Sequence, residues 1–201
     1  MIKAILRTVY SVNIPSNTST LPIINLNQHS FASEIVYHEA GHAAMSEILK
    51  PDSLALVAAF GECSEGSFIK RITDGRDRTM EEREQSILIS MAGKAAVELK
   101  YGIPGFGGRA DFSSVYDNLL SWADGEAIYG FDLQTGYREV PESTGYLQHQ
   151  VVSHRMVEYY QQANKLLTEN RSLLDGIAEM IAKKRYLTSD DIREIRKPNA
   201  A

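Results

Sequence analysis

Cysteine is nearly absent: Cys63 stands alone in the chain, so no disulfide can close within it and the redox compartment is left open. Long apolar runs are missing too. No stretch approaches the 18 or so apolar residues of a membrane span, which argues against a transmembrane segment. No Gly-x-x-x-x-Gly-Lys-Ser/Thr phosphate loop occurs, so no ATP binding is expected from these residues. A basic excess is also lacking: 21 Lys and Arg against 26 Asp and Glu leave a net charge of -5, and nothing suggests a nucleic-acid partner. Neither an internal repeat nor a low-complexity tract appears. The 201 residues, 43% hydrophobic and 23% charged, suit one well-buried globular domain.

Residues 1–30 form the first expected unit. They contain Lys3 and Arg7, no acidic residue and several Ser, Thr and Asn. That composition outlines either a transit peptide or a polar arm that docks on the domain, and the arm is favoured. Ile2, Ile5, Leu6 and Val9 could make one short amphipathic turn, too little for a membrane anchor. A compact apolar signal core is absent, so cytoplasmic residence is the default, with organelle targeting by the arm left open. Residues 31–201 form the second expected unit.

The chemistry concentrates in His38-Glu39-Ala40-Gly41-His42. On a helix, histidines four apart lie one turn apart on one face, where both imidazoles can bind a single zinc ion. Zinc lowers the pKa of a bound water, and Glu39 is placed to take the proton as a general base. Paired histidines can also be buried residues satisfied by hydrogen bonds. The flanks favour the metal reading: Ile35, Val36, Ala43, Met45 and Leu49 recur at helical intervals, and no proline interrupts Ser33 to Lys50. Ser33 is the expected N-cap and Pro51 the stop signal.

A hydrolytic zinc site needs a third protein ligand and an open fourth position. A glutamate 20 to 30 residues further on finds no support in the sequence. The extension His-Glu-x-x-His-x-x-Gly-x-x-His also fails, because Glu47-Ile48 occupies that stretch. A better candidate lies in Gly107-Gly108-Arg109-Ala110-Asp111-Phe112.

Elsewhere the pattern is mainly helical. Leu54 to Phe60 and Ser67 to Ile72 read as two strands, with Gly61 and Gly66 bracketing a hairpin connection. Such a hairpin either presents an edge strand that pairs with an extended substrate or simply covers the helices. Thr79 and Glu82 form a capping box that opens a helix to Lys100, ended by Gly102. A helix from Phe112 to Ala123 would take Asp111 as its N-cap. Val151, Val152, Met156, Tyr159, Tyr160, Ala163, Leu166 and Leu167 mark one buried helical face, and Leu173, Leu174, Ile177, Met180 and Ile181 mark another. Thr188 and Asp191 open a short closing helix through Arg196. His149 and His154, five apart, do not share a helical face, which argues against a second metal site.

Taken together, these segments resemble the peptidase domain of the FtsH family of membrane-anchored AAA zinc proteases. The resemblance runs through Tyr37 to Ala43, Ile89 to Leu99, Gly107 to Asp111 and Tyr160 to Asn170, in the family's order. It implies a mainly α zinc-peptidase fold, a helical bundle with a small β-hairpin or sheet. It implies His38 and His42 as metal ligands, Glu39 as the catalytic base and Asp111 as the third zinc ligand. Two departures stand out: Arg109-Ala110 replaces a small polar pair, and Lys94 replaces a common arginine. The family's AAA ATPase module has no counterpart in these residues, so a stand-alone peptidase or an excised or partner-dependent domain is expected, and the starting Met with an unrelated N-terminal segment favours the first. The expected activity is ATP-independent zinc hydrolysis of peptide bonds in unfolded or flexible polypeptides. Self-assembly or an AAA ATPase partner is compatible with the resemblance. The alternative expectation is a non-catalytic zinc-binding module that regulates an AAA protease partner, a role for which Glu39 would be unnecessary.

Overall fold

The computed structural model describes residues 23–59, 68–71, 79–103, 105, 107–123 and 142–196. Six helices and three strands are found among them: α1 (Phe31–Leu49), β1 (Leu54–Ala58), β2 (Phe68–Arg71), α2 (Met80–Tyr101), α3 (Arg109–Ala123), α4 (Glu142–Glu169), α5 (Arg171–Lys184), β3 (Tyr186–Thr188) and α6 (Ser189–Arg196). The fold is therefore mainly α, with one small sheet. The expected amphipathic turn in residues 1–22, the Gly61 to Gly66 connection and Cys63 lie outside the described residues.

Helix α1 is the axis of the domain. It packs against α2 and α5, with β1 and α4 also in contact. Residues around its whole circumference are buried, from Ser33 to Glu47. Small residues permit that burial. Gly41 faces α2 so closely that a Cβ there would stand 2.4 Å from the Ala92 carbonyl oxygen. The residues between and beside the two histidines therefore seat the neighbouring helix.

The start of α1 corrects one expectation. The N-cap is Ser30, not Ser33, and Ser33 is the reciprocal partner of the capping box. The Ser33 amide donates to Ser30 Oγ at 3.2 Å, and the Ser30 amide donates to Ser33 Oγ at 2.9 Å. A short hydroxyl thus takes the place that Glu or Gln usually fills, which hides the true cap from a motif search. At the other end the Lys50 amide bonds to the Ser46 carbonyl. The buried Glu47 carboxylate then accepts from the Asp52 amide at 3.0 Å and from Arg196 Nη1 of α6 at 3.1 Å.

Thr79 and Glu82 cap α2 as expected, and Gly102 ends it in the left-handed conformation at φ +73°. Helix α3 starts earlier than the expected Phe112. Gly108, at φ +89°, precedes it and accepts the Phe112 amide at 3.0 Å. Asp111 accordingly lies within the first turn and is not the N-cap.

The hairpin is present and antiparallel, with Val57 opposite Ile69 and Ala58 opposite Phe68. The sequence reading missed β3, which pairs antiparallel with β1 through Val57 and Leu187, so the sheet order is β2-β1-β3. A three-residue strand flanked by helices offers too little alternation to be seen. Along α4, Val152, Ala163 and Leu167 are fully buried as expected, but Val151 is 39% exposed and belongs to the solvent side. Among the described residues, no helix is long and apolar enough to cross a membrane.

The closing helix carries a pH signature. Thr188 Oγ1 accepts the Asp191 amide at 3.5 Å, and Asp191 Oδ2 accepts the Thr188 amide at 2.9 Å. Lys184 Nζ lies 2.5 Å from Asp191 Oδ1. Burial alone would raise the Asp191 pKa, but the Lys184 ammonium and the Thr188 donors outweigh it and lower it. A carboxylate held below its unfolded value stabilises the fold above about pH 4, and that contribution disappears as pH falls through the lowered value. The stability gap between the native chain and Asp191→Asn should therefore be flat near neutral pH and narrow as pH falls below about 5 in urea titrations. A gap independent of pH would contradict this.

Candidate metal centre

Helix α1 presents His38 and His42 on one face, as the spacing requires, and the first turn of α3 brings Asp111 to them. The two Nε2 atoms are 3.0 Å apart, with ring centroids at 4.5 Å and planes at 86°. Asp111 Oδ2 stands 3.1 Å from His38 Nε2 and 3.5 Å from His42 Nε2. Among the described residues these three side chains form the group of His, Cys, Asp or Glu able to hold a metal ion.

The donor chemistry of this group suits zinc. Two imidazole nitrogens and one carboxylate oxygen are zinc ligands. Tetrahedral bonds of about 2.0–2.1 Å would set ligand atoms about 3.3–3.4 Å apart, and the three observed separations straddle that length. The tautomer agrees. The Ile89 carbonyl lies 2.6 Å from His42 Nδ1 and can only accept, so Nδ1 carries the hydrogen. The Nε2 lone pair of a neutral His42 then faces His38 and the Asp111 carboxylate, where only a cation or a proton relieves the repulsion. A backbone acceptor that orients a ligand histidine through its other nitrogen is a common support for metal sites.

The titration behaviour reflects the same crowding. Burial, and then the neighbouring His42, push the His38 pKa down. Burial opposes a charged His42, but Asp111, Glu39 and the Ile89 carbonyl outweigh it and raise its pKa. Burial would also raise Asp111, yet the two histidines hold its carboxyl well below the usual range. Glu39, next to His38 on α1, is buried, at 7% exposure. Burial pushes its carboxyl up to about 7, with Asp111 adding to the rise and His42 opposing it. A dication among the ligands would oppose that rise further.

The walls of the site come from α2 and from the loop before α3. Gly93 lies against both histidine rings: a Cβ there would be 2.6 Å from His42 Nε2 and 2.7 Å from His38 Cε1. The loop tracks along α1, with Gly105 against Glu34 and Gly108 against His38. Lys94, next to Gly93, sets its ammonium 5.2 Å from the Phe112 ring centroid, beside Asp111. A cation over an aromatic face is attractive, so this pair ties α2 to the turn that carries Asp111.

Three of the four residues singled out in the sequence, His38, His42 and Asp111, are thus gathered at one place, and Glu39 is buried next to His38 on α1. His149 and His154 are not part of it. His149 Nδ1 shares a hydrogen bond with the Tyr116 hydroxyl, and His154 pairs with Glu158 at 3.4 Å. The sequence reading missed Gly93, Gly108 and the Ile89 carbonyl. An isolated glycine inside a helical pattern was the available signal for Gly93. A backbone acceptor leaves no signal at all.

No family model matches the chain. It is 28% identical over 185 residues to the ATP-dependent zinc metalloprotease FtsH of Lachnoclostridium phytofermentans, a match covering 85% of this chain. The chain spans 31% of that protein's length. The similarity marks a distant relationship to FtsH.

Proposed function

We propose that the chain is a zinc metallopeptidase that hydrolyses peptide bonds in unfolded or flexible polypeptides without consuming ATP. The observation that carries this reading is the convergence of His38 Nε2, His42 Nε2 and Asp111 Oδ2 beside the buried Glu39. The distant similarity to a zinc metalloprotease supports it. His38, His42 and Asp111 would hold the ion, which supplies Lewis acidity toward water and toward a peptide carbonyl.

The chain's own residues do the remaining work. Glu39 takes a proton from the attacking water at its carboxylate and returns it to the leaving amide nitrogen. Ile89 holds the His42 ring through Nδ1, leaving Nε2 free for the ion. Asp111 contributes negative charge from the first turn of α3, where the helix dipole favours an anion. Without an unfolding module among these residues, access requires a substrate already extended or flexible.

The test is cleavage of an unfolded casein-like protein by the zinc-loaded chain in nucleotide-free buffer. Fragments should appear, and a chelator should stop their production. Failure to cut any unstructured polypeptide while carrying stoichiometric zinc would sink the peptidase reading.

A further inference from the structure

Two glycines lie at the crossing of α1 and α2, and their surroundings differ in kind. At Gly41 an added Cβ would meet atoms fixed to the α2 backbone: the Ala92 carbonyl oxygen at 2.4 Å and carbon at 3.0 Å, and the Ala96 Cβ at 2.6 Å. At Gly93 the three atoms nearest the added Cβ are side-chain ring atoms, His42 Cε1 and Nε2 at 2.6 Å and His38 Cε1 at 2.7 Å. Backbone across a helix crossing cannot yield without separating the helices. A histidine ring can yield by turning about its side-chain torsions.

Gly93 sits one turn beyond Ile89 on α2, so the same face of that helix touches His42 twice. The Ile89 carbonyl fixes the ring through Nδ1 at 2.6 Å. Gly93 bounds the opposite edge, at the nitrogen that faces His38 and Asp111. Gly108 also lies close to His38: a Cβ there would stand 3.3 Å from its Cε1. Both rings are therefore set against bare backbone.

We propose that Gly93 is a positioning residue for the metal centre: its missing side chain leaves the space in which the His38 and His42 nitrogens meet one ion. Glycine is a poor choice for the interior of a helix on propensity alone, and alanine would serve α2 better. Its presence in α2 is explained by what lies opposite. A methyl group at residue 93 would occupy the approach to His42 Nε2, so the rings must turn aside and the ligand set opens. This inference rests on the zinc reading above and assigns α2 a share in the site.

Gly93→Ala and Gly41→Ala separate the metal role from a packing role. In metal-free protein, Gly93→Ala should keep the native helical circular dichroism and lose less in melting temperature than Gly41→Ala, because side-chain rings and not helix backbone must move. Its zinc affinity, measured by competition with a chromophoric chelator, should fall at least about 10- to 100-fold, the range found when supports of ligand histidines are lost. The rise in melting temperature on adding zinc should shrink accordingly. Cobalt(II) substitution should give a visible ligand-field spectrum in the native chain that is altered or lost in the variant. Gly41→Ala should do the reverse, lowering the metal-free melting temperature through its clash with α2. Zinc affinity within about twofold of native in Gly93→Ala, with an unchanged cobalt spectrum, would overturn the proposal. So would a Gly93→Ala chain that loses its helical signal without metal, because the glycine would then serve packing. If the native chain itself binds no zinc, the metal reading fails and the role of Gly93 falls with it.

Discussion

Replacing Glu39 by Gln should abolish most peptide hydrolysis while leaving zinc bound at native stoichiometry. Glu39 is 7% exposed and stands in the turn between the two ligand histidines, so an isosteric amide fits the same space. An amide cannot take a proton from water near neutral pH. Loss of a positioned general base costs typically 10²- to 10⁴-fold, so turnover should fall by about that factor with little change in KM. The fold should not weaken, because the burial that raises the Glu39 pKa to about 7 penalises its charge. A neutral amide escapes that penalty. Steady-state cleavage of a quenched fluorescent peptide, together with metal analysis of the same sample, checks both halves. Full activity in the variant would remove Glu39 from the chemistry. Absence of activity in both proteins, with zinc bound, would favour a non-catalytic zinc module.

The second large effect is expected at Asp111. Its Oδ2 is within 3.1 Å and 3.5 Å of the two histidine nitrogens, and no other carboxylate joins the group among the described residues. Asp111→Ala leaves two imidazoles and removes the site's negative ligand charge. Loss of an outer support already costs about 10- to 100-fold in metal affinity, so loss of a ligand should cost more than about 100-fold. Activity should vanish with the metal. Asp111→Ala should also lose the ability to be stabilised by zinc in thermal melts, since stabilisation follows the ratio of zinc concentration to Kd. Competition titration with a chromophoric chelator reads the change directly. Native-like zinc affinity in Asp111→Ala would expel the residue from the ligand set.

The legible and illegible parts of this chain divide along physical lines. His38 and His42 could be paired from spacing alone, because helix geometry fixes which face a residue takes. The ends of α2 and the start of α6 were visible for a similar reason: Thr79 with Glu82, Gly102, and Thr188 with Asp191 are local chemistry. Asp111 is 69 residues beyond His42, and no periodicity links them. It came into view through resemblance, and its position depends on a loop that lies along α1 because Gly105 and Gly108 permit close approach. Ser30 was passed over because its partner is a serine. Strand β3 was passed over because its pairing with β1 spans more than a hundred residues and leaves no mark in three. The supports of the site were the least readable. Ile89 acts through its carbonyl and Gly93 through the side chain it lacks, and neither has a residue type that announces the role.

The most direct measurement is the location of zinc by anomalous diffraction from crystals of the zinc-loaded chain. One peak is predicted about 2.0–2.2 Å from His38 Nε2, His42 Nε2 and an Asp111 carboxylate oxygen, with Glu39 outside the ligand shell. A peak bound elsewhere, or a shell that holds the histidines without Asp111, would contradict the proposed centre.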